Sequence, residues 1–276
     1  MRHVCGVVAV AFCLAWLAAW SHAGEAVSAR SVVEMSNHAS LYQGRDCRGT
    51  TTMIITDKQG RTRKRQFNML RLDCGARDGD QKYFVYFVEP SDVRKMVFMV
   101  HKHVGAEADD DRWLYMPSLD LVKRIAASDK RTSFVGSDFL YEDISGRNPS
   151  EDFHELIPAD GPFHVVRGTP RNPGAVEFAA YVAHIDKTTW LPMRIEYHKA
   201  DGRPYRIIEV LEVELVAAAE QGRPVAYPTV VRSVARDLET GSRTEMVFSD
   251  IRYNSGLEDA LFTERYLRRA PREVLP

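Results

Sequence analysis

The stretch Tyr83-Phe84-Val85-Tyr86-Phe87-Val88 is apolar at every position, and it decides the fold class. All six residues are aromatic or β-branched, the types that strands favour. A strand with one face in water alternates apolar and polar side chains, so an unbroken apolar strand needs cover on both faces. The stretch therefore predicts a strand inside a sheet that other parts of the chain cover from both sides.

Further extended segments lie before and after this strand, and each is bounded by Gly, Pro, Asp or Asn clusters. They are predicted at residues 47–56, 64–74, 82–89, 95–103, 112–116, 163–168, 176–186, 192–199, 205–216, 229–238 and 243–253. Several are about 30 Å long, at roughly 3.3 Å per residue. Because short turns join them in chain order, they predict an antiparallel meander that curves strongly or closes into a barrel.

One long helix is predicted before the strands, at residues 26–42. Its apolar side chains recur at spacings of three and four, and Gly44 ends it; they are Ala29, Val32, Met35, Ala39 and Tyr42. Two accounts of the faces of the sheet stay open. In one, the helix covers one face and the curl of the sheet fills the other with side chains. In the second, part of the concave face stays unfilled and receives an apolar ligand.

The N-terminal residues have the pattern of a secretory signal peptide. Arg2 and His3 precede an apolar run at residues 4–20, and Ser21-His22-Ala23 offers small residues to a signal peptidase. We expect export with cleavage after Ala23, so that residues 1–23 are the signal peptide and residues 24–276 form a single domain. The alternative is a retained membrane anchor, because the apolar run is close to the minimum length for spanning a bilayer.

The charge balance of the exported part bears on its partners. Cleavage removes only one basic residue, Arg2, which leaves 36 Lys and Arg against 38 Asp and Glu. Binding to nucleic acid phosphates needs a basic excess, so nucleic acid is not expected as a partner.

Cys47 and Cys74 are the two cysteines of the exported part. They flank a predicted hairpin with its turn at residues 57–60, and counting outward from the turn places the two thiols nearly opposite each other. An oxidising compartment favours closing such a pair, so we expect one cross-strand disulfide. Two free buried thiols are the alternative.

Several groups of residues resemble the outer-membrane lipoprotein-sorting proteins of the LolA-like superfamily. The central group is WLYMPSL at residues 113–119, RI at 124–125 and FVGSDFLYEDI at 134–144. Later groups are IDKTTWLPMRIEY at 185–197, DG at 201–202 and FTERYL at 262–267. The resemblance extends from about residue 26 to residue 269. It is closest to the branch found with membrane exporters of the resistance-nodulation-division class.

The resemblance implies a mainly β fold, in which a curved antiparallel sheet forms an incomplete, half-open barrel covered by the N-terminal helix and short helices. It implies a monomeric periplasmic carrier that shelters acyl chains of a lipoprotein or lipid in a hydrophobic cavity. An inner-membrane transporter of the resistance-nodulation-division class is the second partner it suggests. Two other functions stay open: a non-carrying accessory subunit of an envelope transporter, and an unrecognised hydrolase.

Catalysis is not predicted. Glu142 and Asp143 are adjacent, and adjacent helical residues point about 100° apart, so they do not face one another across a substrate. Ser137 or Asp138 is expected to cap their short helix. The chain also lacks the common motifs of nucleophile, phosphate and zinc sites. We therefore expect no enzyme, no metal and no cofactor.

The expected ligand-binding residues lie on the strands and in a cover. The segment around Phe139 and the N-terminal helix would form the movable cover, so that uptake displaces apolar contacts and breaks no salt bridge. Methionine and aromatic side chains suit a deformable cavity. The strand residues expected to line it are Met69, Val85, Phe87, Phe98, Trp113, Tyr115, Ile195, Tyr197, Met246 and Phe248. A one-residue register error would turn a strand's whole set to the opposite face.

Overall fold

The computed structural model describes residues 27–75, 77–105 and 109–276. The helices are α1 Ala29–Leu41, α2 Tyr141–Ser145 and α3 Arg265–Arg268. The strands are β1 Asp46–Thr56, β2 Thr62–Asp73, β3 Gln81–Glu89, β4 Val97–Lys102, β5 Asp111–Met116, β6 Leu121–Arg124, β7 Asp152–Ile157, β8 Phe163–Pro170, β9 Ala180–Asp186, β10 Pro192–His198, β11 Pro204–Glu220, β12 Arg223–Asp237 and β13 Arg243–Tyr253. The expected signal peptide at residues 1–23 lies outside the described residues.

All thirteen strands form one antiparallel sheet in the order β6-β5-β4-β3-β2-β1-β13-β12-β11-β10-β9-β8-β7. The chain therefore runs as two meanders that meet where β1 pairs with β13. The curved sheet does not close, because β6 and β7 remain at its two ends. The predicted mainly β fold is confirmed.

The two strands that sequence analysis missed are the two at the ends of the sheet. Strand β6 has only four residues, LVKR, and three of them are exposed. Strand β7, DFHELI, alternates buried or half-buried with exposed side chains, but two of the exposed ones are Phe153 and Ile157. Short and charged edge strands are common because they discourage pairing with other chains, and they carry little apolar signal.

The meander of β1 to β5 is covered on both faces, as the all-apolar strand predicts. On its inner face, Phe67, Phe87 and Phe98 pack against Phe134 and Tyr141 from the segment between β6 and β7. On its outer face, the apolar side chains pack against the C-terminal segment, residues 257–274. From this segment Leu257, Phe262, Leu267 and Val274 are buried.

Helix α1 does not cover these strands. Its fully buried Val32 packs against Val166, Ala183 and Ile185 of the second meander. The side chain of Ser28 caps the helix by accepting from the backbone N–H of Ser31 at 3.1 Å. The C-terminal end of α1 points to the junction of the two meanders, where the cavity described below opens. Of the described helices, none is both long and apolar enough to cross a membrane.

Candidate functional site

A cavity of about 310 Å³ lies on the inner face of the sheet, where the two meanders meet. Its walls come from β1, β2, β10, β11, β12 and β13, from the last residues of α1, and from the segment at residues 139–144. Most of the wall is apolar. Cavities that hold small ligands are typically apolar with a few polar groups, so this is the candidate binding site.

Five of the eleven expected ligand-binding residues line this cavity: Met69, Phe139, Ile195, Met246 and Phe248. Their side chains come from different parts of the chain, because β2 and β13 lie on either side of β1 in the sheet. Met53 on β1 faces Met246 directly in the register. That these residues contact a ligand stays a prediction.

Three other expected residues share the inner face but lie in a filled core. The rings of Phe87 and Phe98 are 5.9 Å and 5.6 Å from the ring of Phe134, and Phe98 is 5.0 Å from Tyr141. Val85 is fully buried in the same cluster. The space in front of these strands is thus occupied by side chains of the protein itself, and the expectation that they line a cavity is wrong.

Trp113 and Tyr115 lie on the outer face of the sheet, among side chains of the C-terminal segment. The intervening Leu114 is the β5 residue that packs on the inner face. The prediction assigned Trp113 and Tyr115 to the wrong face of β5, and successive side chains of a strand point to opposite faces.

Tyr197 belongs to a separate aromatic cluster. Its ring is 5.2 Å from Phe178 and 5.9 Å from Tyr181. The guanidinium of Arg206 lies over it at 5.2 Å. Its burial raises the pKa of Tyr197 to about 12. This cluster packs beside the cavity and does not line it.

The sequence does not predict the walls that β11 and β12 supply, whereas it does predict the N-terminal helix as part of the cover, and the end of that helix lines the cavity. Ile208 and Val210 line the cavity from β11, and they lie opposite Ala235 and Ser233 of β12. Leu41 and Gln43 line it from the end of α1. The sequence of β11 shows which of its side chains share a face, but only the pairing with β12 identifies the face that lines the cavity.

One buried arginine binds backbone carbonyls at and just after the end of α1. The guanidinium of Arg71, which is 6% exposed, donates to the carbonyl oxygens of Leu41, Gln43 and Gly44, at 2.6 Å and 2.9 Å for the last two. The carbonyl of Leu41, the last residue of the helix, has no partner inside the helix and also accepts from the side chain of Gln81 at 2.8 Å. A cation at this end is favoured by the helix dipole. Although Arg71 is near the cavity, its donors are engaged in holding α1 to the sheet.

The cover of the inner face, residues 134–145, is anchored by buried ion pairs. Glu142 is 3% exposed and contacts Lys130 and Arg147, both at 3.2 Å, as well as Arg131. Burial alone would raise the pKa of Glu142, but the two guanidinium groups outweigh it and hold that pKa below its ordinary value. Asp143 pairs with Arg206 from β11.

Polar bonds also connect the cover to the strands around it. The carboxylate of Asp138 accepts from the hydroxyl of Thr244 at 2.6 Å, and Lys102 donates to the carbonyl of Ser145 at 2.7 Å. The expected helix cap is wrong: Asp143 accepts from the N–H of Leu140 at 2.6 Å. Displacing the whole cover would break salt bridges, contrary to the expectation of purely apolar contacts.

The expected disulfide is not formed, and both cysteines are free. Cys47 lies opposite Arg71 in the register, three positions before Cys74. An odd offset turns the two thiols to opposite faces, so Cys47 lines the cavity while Cys74 packs near the C-terminal segment. Burial raises the pKa of the Cys47 thiol to about 11.

Solved structures with the same fold include the following three. A DUF1329 family protein from Desulfovibrio piger is 27% identical with a TM-score of 0.74, over 86% of this chain and 95% of that one. An outer membrane lipoprotein-sorting protein domain from Vibrio parahaemolyticus is 24% identical with a TM-score of 0.74, over 86% and 97%. The LolA superfamily protein NE2245 from Nitrosomonas europaea is 16% identical with a TM-score of 0.65, over 87% and 100%.

No curated protein matches the chain. A family model described as an uncharacterized protein matches residues 79–269, which is more than half of the chain and includes the cover and most of the sheet. The chain belongs to that family, and its fold is the one seen in the DUF1329 family protein, the lipoprotein-sorting protein domain and the LolA superfamily protein.

Proposed function

We propose that this protein is a periplasmic carrier that binds acyl chains of a lipid or lipoprotein in the cavity and transfers them between membranes. The observation that carries the proposal is the apolar cavity of about 310 Å³ at the junction of the two meanders. The protein is exported by the signal peptide at residues 1–23, which is removed after Ala23. It acts as a monomer, and an inner-membrane transporter of the resistance-nodulation-division class is its candidate partner.

The energetics of an apolar cavity are sufficient for such a carrier. Burial of one methylene contributes about 0.8 kcal/mol, so ten methylenes contribute roughly 8 kcal/mol before the costs of binding. No charged group is needed to hold the ligand. Met69 and Met246 line the cavity, and their unbranched side chains adapt to different ligand shapes, which helps both uptake and release.

The buried carboxylates of the cover support a carrier over an enzyme. Glu142 and Asp143 are each paired with arginine side chains, so neither is free to act as a general acid or base. A non-carrying accessory subunit of a transporter is the remaining alternative. Lipid that copurifies with the protein from a periplasm, identified by solvent extraction and mass spectrometry, favours the carrier.

The direct test places a charge in the cavity. Phe248 is half-buried in the cavity wall, so Phe248→Asp is expected to weaken binding of a fluorescent fatty acid at least tenfold without unfolding the protein. The matched control is Phe153→Asp, because Phe153 is 56% exposed on the edge strand β7. Equal binding by both variants, with thermal stability preserved, would exclude the cavity as the binding site.

A further inference from the structure

The hairpin of β11 and β12 extends beyond its neighbours in the sheet, and its outer part, residues 212–230, is here named the arm. Pairing of β10 with β11 stops at Glu209, and pairing of β12 with β13 stops at Arg232. Register shifts at Leu211 and Val231 separate the arm from the rest of the hairpin. Bulges of this kind bend a strand and increase its twist, and here they mark where the arm begins.

One face of the arm is entirely apolar. Directly opposed residues of an antiparallel pair share a face, and alternate residues along each strand share it too. The pairs on this face are Val213 with Val230, Leu215 with Pro228, Ala217 with Ala226, and Ala219 with Pro224. Leu215 is 72% exposed, and four further members, Ala217, Ala219, Pro224 and Ala226, are exposed. The second face carries the charges, including Glu214, Glu220 and Arg223, and it also holds the half-buried Val216, Ala218 and Val225.

The arm is attached to the body of the protein by a small number of polar contacts. Thr229 and Tyr253 share a hydrogen bond of 2.9 Å between their hydroxyls, and the rings of Tyr227 and Tyr253 are 4.9 Å apart. Asn254 donates to the carbonyl of Ala219 at 2.8 Å. These contacts fix where the arm lies, and they use its polar face and its backbone. They leave the outer members of the apolar face exposed, namely Leu215, Ala217, Ala219, Pro224 and Ala226.

The apolar face of the arm is continuous with the cavity. Pro228 and Val230 belong to this face and also line the cavity. From Val213 to Ala219 the face is about 20 Å long, at roughly 3.3 Å per residue. The arm therefore prolongs the apolar surface of the cavity along a narrow track that is two strands wide.

We propose that this face is a second part of the lipid site, which holds the portion of an acyl chain that extends beyond the cavity. The proposal rests on the proposed carrier function and adds where a long chain lies. The width of the track favours a single chain over a second copy of the protein. Two strands of this length offer on the order of 200 Å², whereas a stable interface needs about 800 Å² from each partner.

The test measures how affinity depends on the length of the chain. Saturated fatty acids from octanoate to stearate compete against a fluorescent fatty acid for the wild-type protein and for Leu215→Gln. Each further buried methylene increases affinity about fourfold. In the wild type, this increase is expected to continue to the longest chains. In Leu215→Gln, affinity is expected to stop increasing once the chain is longer than the cavity can hold. Octanoate, which is short, should bind to this variant as tightly as to the wild type.

Glu214→Gln is the matched control, because Glu214 is next to Leu215 in the chain but lies on the opposite face of the arm. In this variant, affinity should depend on chain length as it does in the wild type. If Leu215→Gln and the wild type show the same dependence at every length, the arm is not part of the lipid site. The proposal also fails if Leu215→Gln changes binding to vesicles or the oligomeric state and leaves fatty-acid affinity unchanged. Absence of binding at all lengths in the wild type contradicts the carrier function itself.

Discussion

Single residues decide how the cover is held, and Glu142 is the main one. A buried carboxylate is expensive unless cations and hydrogen bonds surround it. Lys130, Arg131 and Arg147 supply these cations from segments on both sides of Glu142 in the chain. The conspicuous acidic pair of the sequence is therefore part of the scaffold and not of a catalytic site.

The first prediction is that Glu142→Gln destabilises the protein by about 3–5 kcal/mol, because it leaves buried guanidinium groups without their counter-charge. Urea unfolding at neutral pH measures this change. The pKa of Glu142 is lowered in the folded state, so its contribution is present above the ordinary value of 4.5 and is lost as pH falls through the lower folded value. The difference between the variant and the wild type should therefore shrink in acid. Glu155→Gln, at an exposed position of β7, is the control and should have no measurable effect.

The second prediction concerns the thiol of Cys47. Thiolates react with alkylating agents, and a pKa of about 11 leaves little thiolate near neutral pH, so Cys47 should react much more slowly than the less buried Cys74. Saturating fatty acid should slow Cys47 further and leave Cys74 unchanged, because only Cys47 lines the cavity. Mass spectrometry of the unreduced protein over time follows both. If neither thiol reacts before reduction, the two cysteines form the disulfide that the sequence predicts and are not free.

At the scale of elements, the C-terminal segment has the most unexpected role. The segment carries several arginines, yet it places Phe262 and Leu267 on the outer face of β3 to β5. His101 of β4 also bonds the carbonyl of Phe262 at 2.7 Å. The outer face of the first meander therefore depends on the last part of the chain.

The third prediction is that Phe262→Ala lowers the free energy of unfolding by about 3–5 kcal/mol, the usual cost of removing a fully buried phenylalanine ring. Leu275→Ala is the matched control, because Leu275 is 44% exposed in the same region. Urea unfolding compares the two. A similar small loss for both would mean that the segment contributes little to the outer face.

At the scale of the whole molecule, the junction of the two meanders is where the apolar cavity lies. The first meander has its own filled inner core, whereas the cavity lies where β1 and β13 bring the halves together. A ligand bound there contacts both meanders and therefore stabilises their joint arrangement.

The fourth prediction is that an apolar ligand raises the melting temperature of the whole protein. A ligand that binds only the folded state adds about 2.7 kcal/mol at one hundred times its dissociation constant. Differential scanning calorimetry with increasing palmitate measures the shift, and Phe248→Asp should remove it. A shift of equal size in that variant would place the ligand elsewhere.

The limits of prediction from sequence follow from the same geometry. The apolar stretch at residues 83–88 identifies a strand with two covered faces, because alternation and residue type are local properties. What covers each face is not local: Phe134 and Phe262 reach the strand from distant parts of the chain. The sequence of β5 also does not show whether Leu114 or Trp113 points to the inner face, and only the neighbouring elements decide this. Five of the cavity-lining residues were therefore predictable, and the rest of the wall required the pairing of strands.

The pairing of β1 with β13 also determines when the chain can fold. Cys47 lies opposite Tyr253, so the central strand pair joins residues about 200 positions apart. Contacts between such distant residues make folding slow, because a long loop must be closed before they form. Until β13 has been synthesised, the apolar strands of the first meander lack their final neighbour and the C-terminal segment that covers them. The unfinished chain therefore exposes apolar strands for most of its synthesis, which favours aggregation.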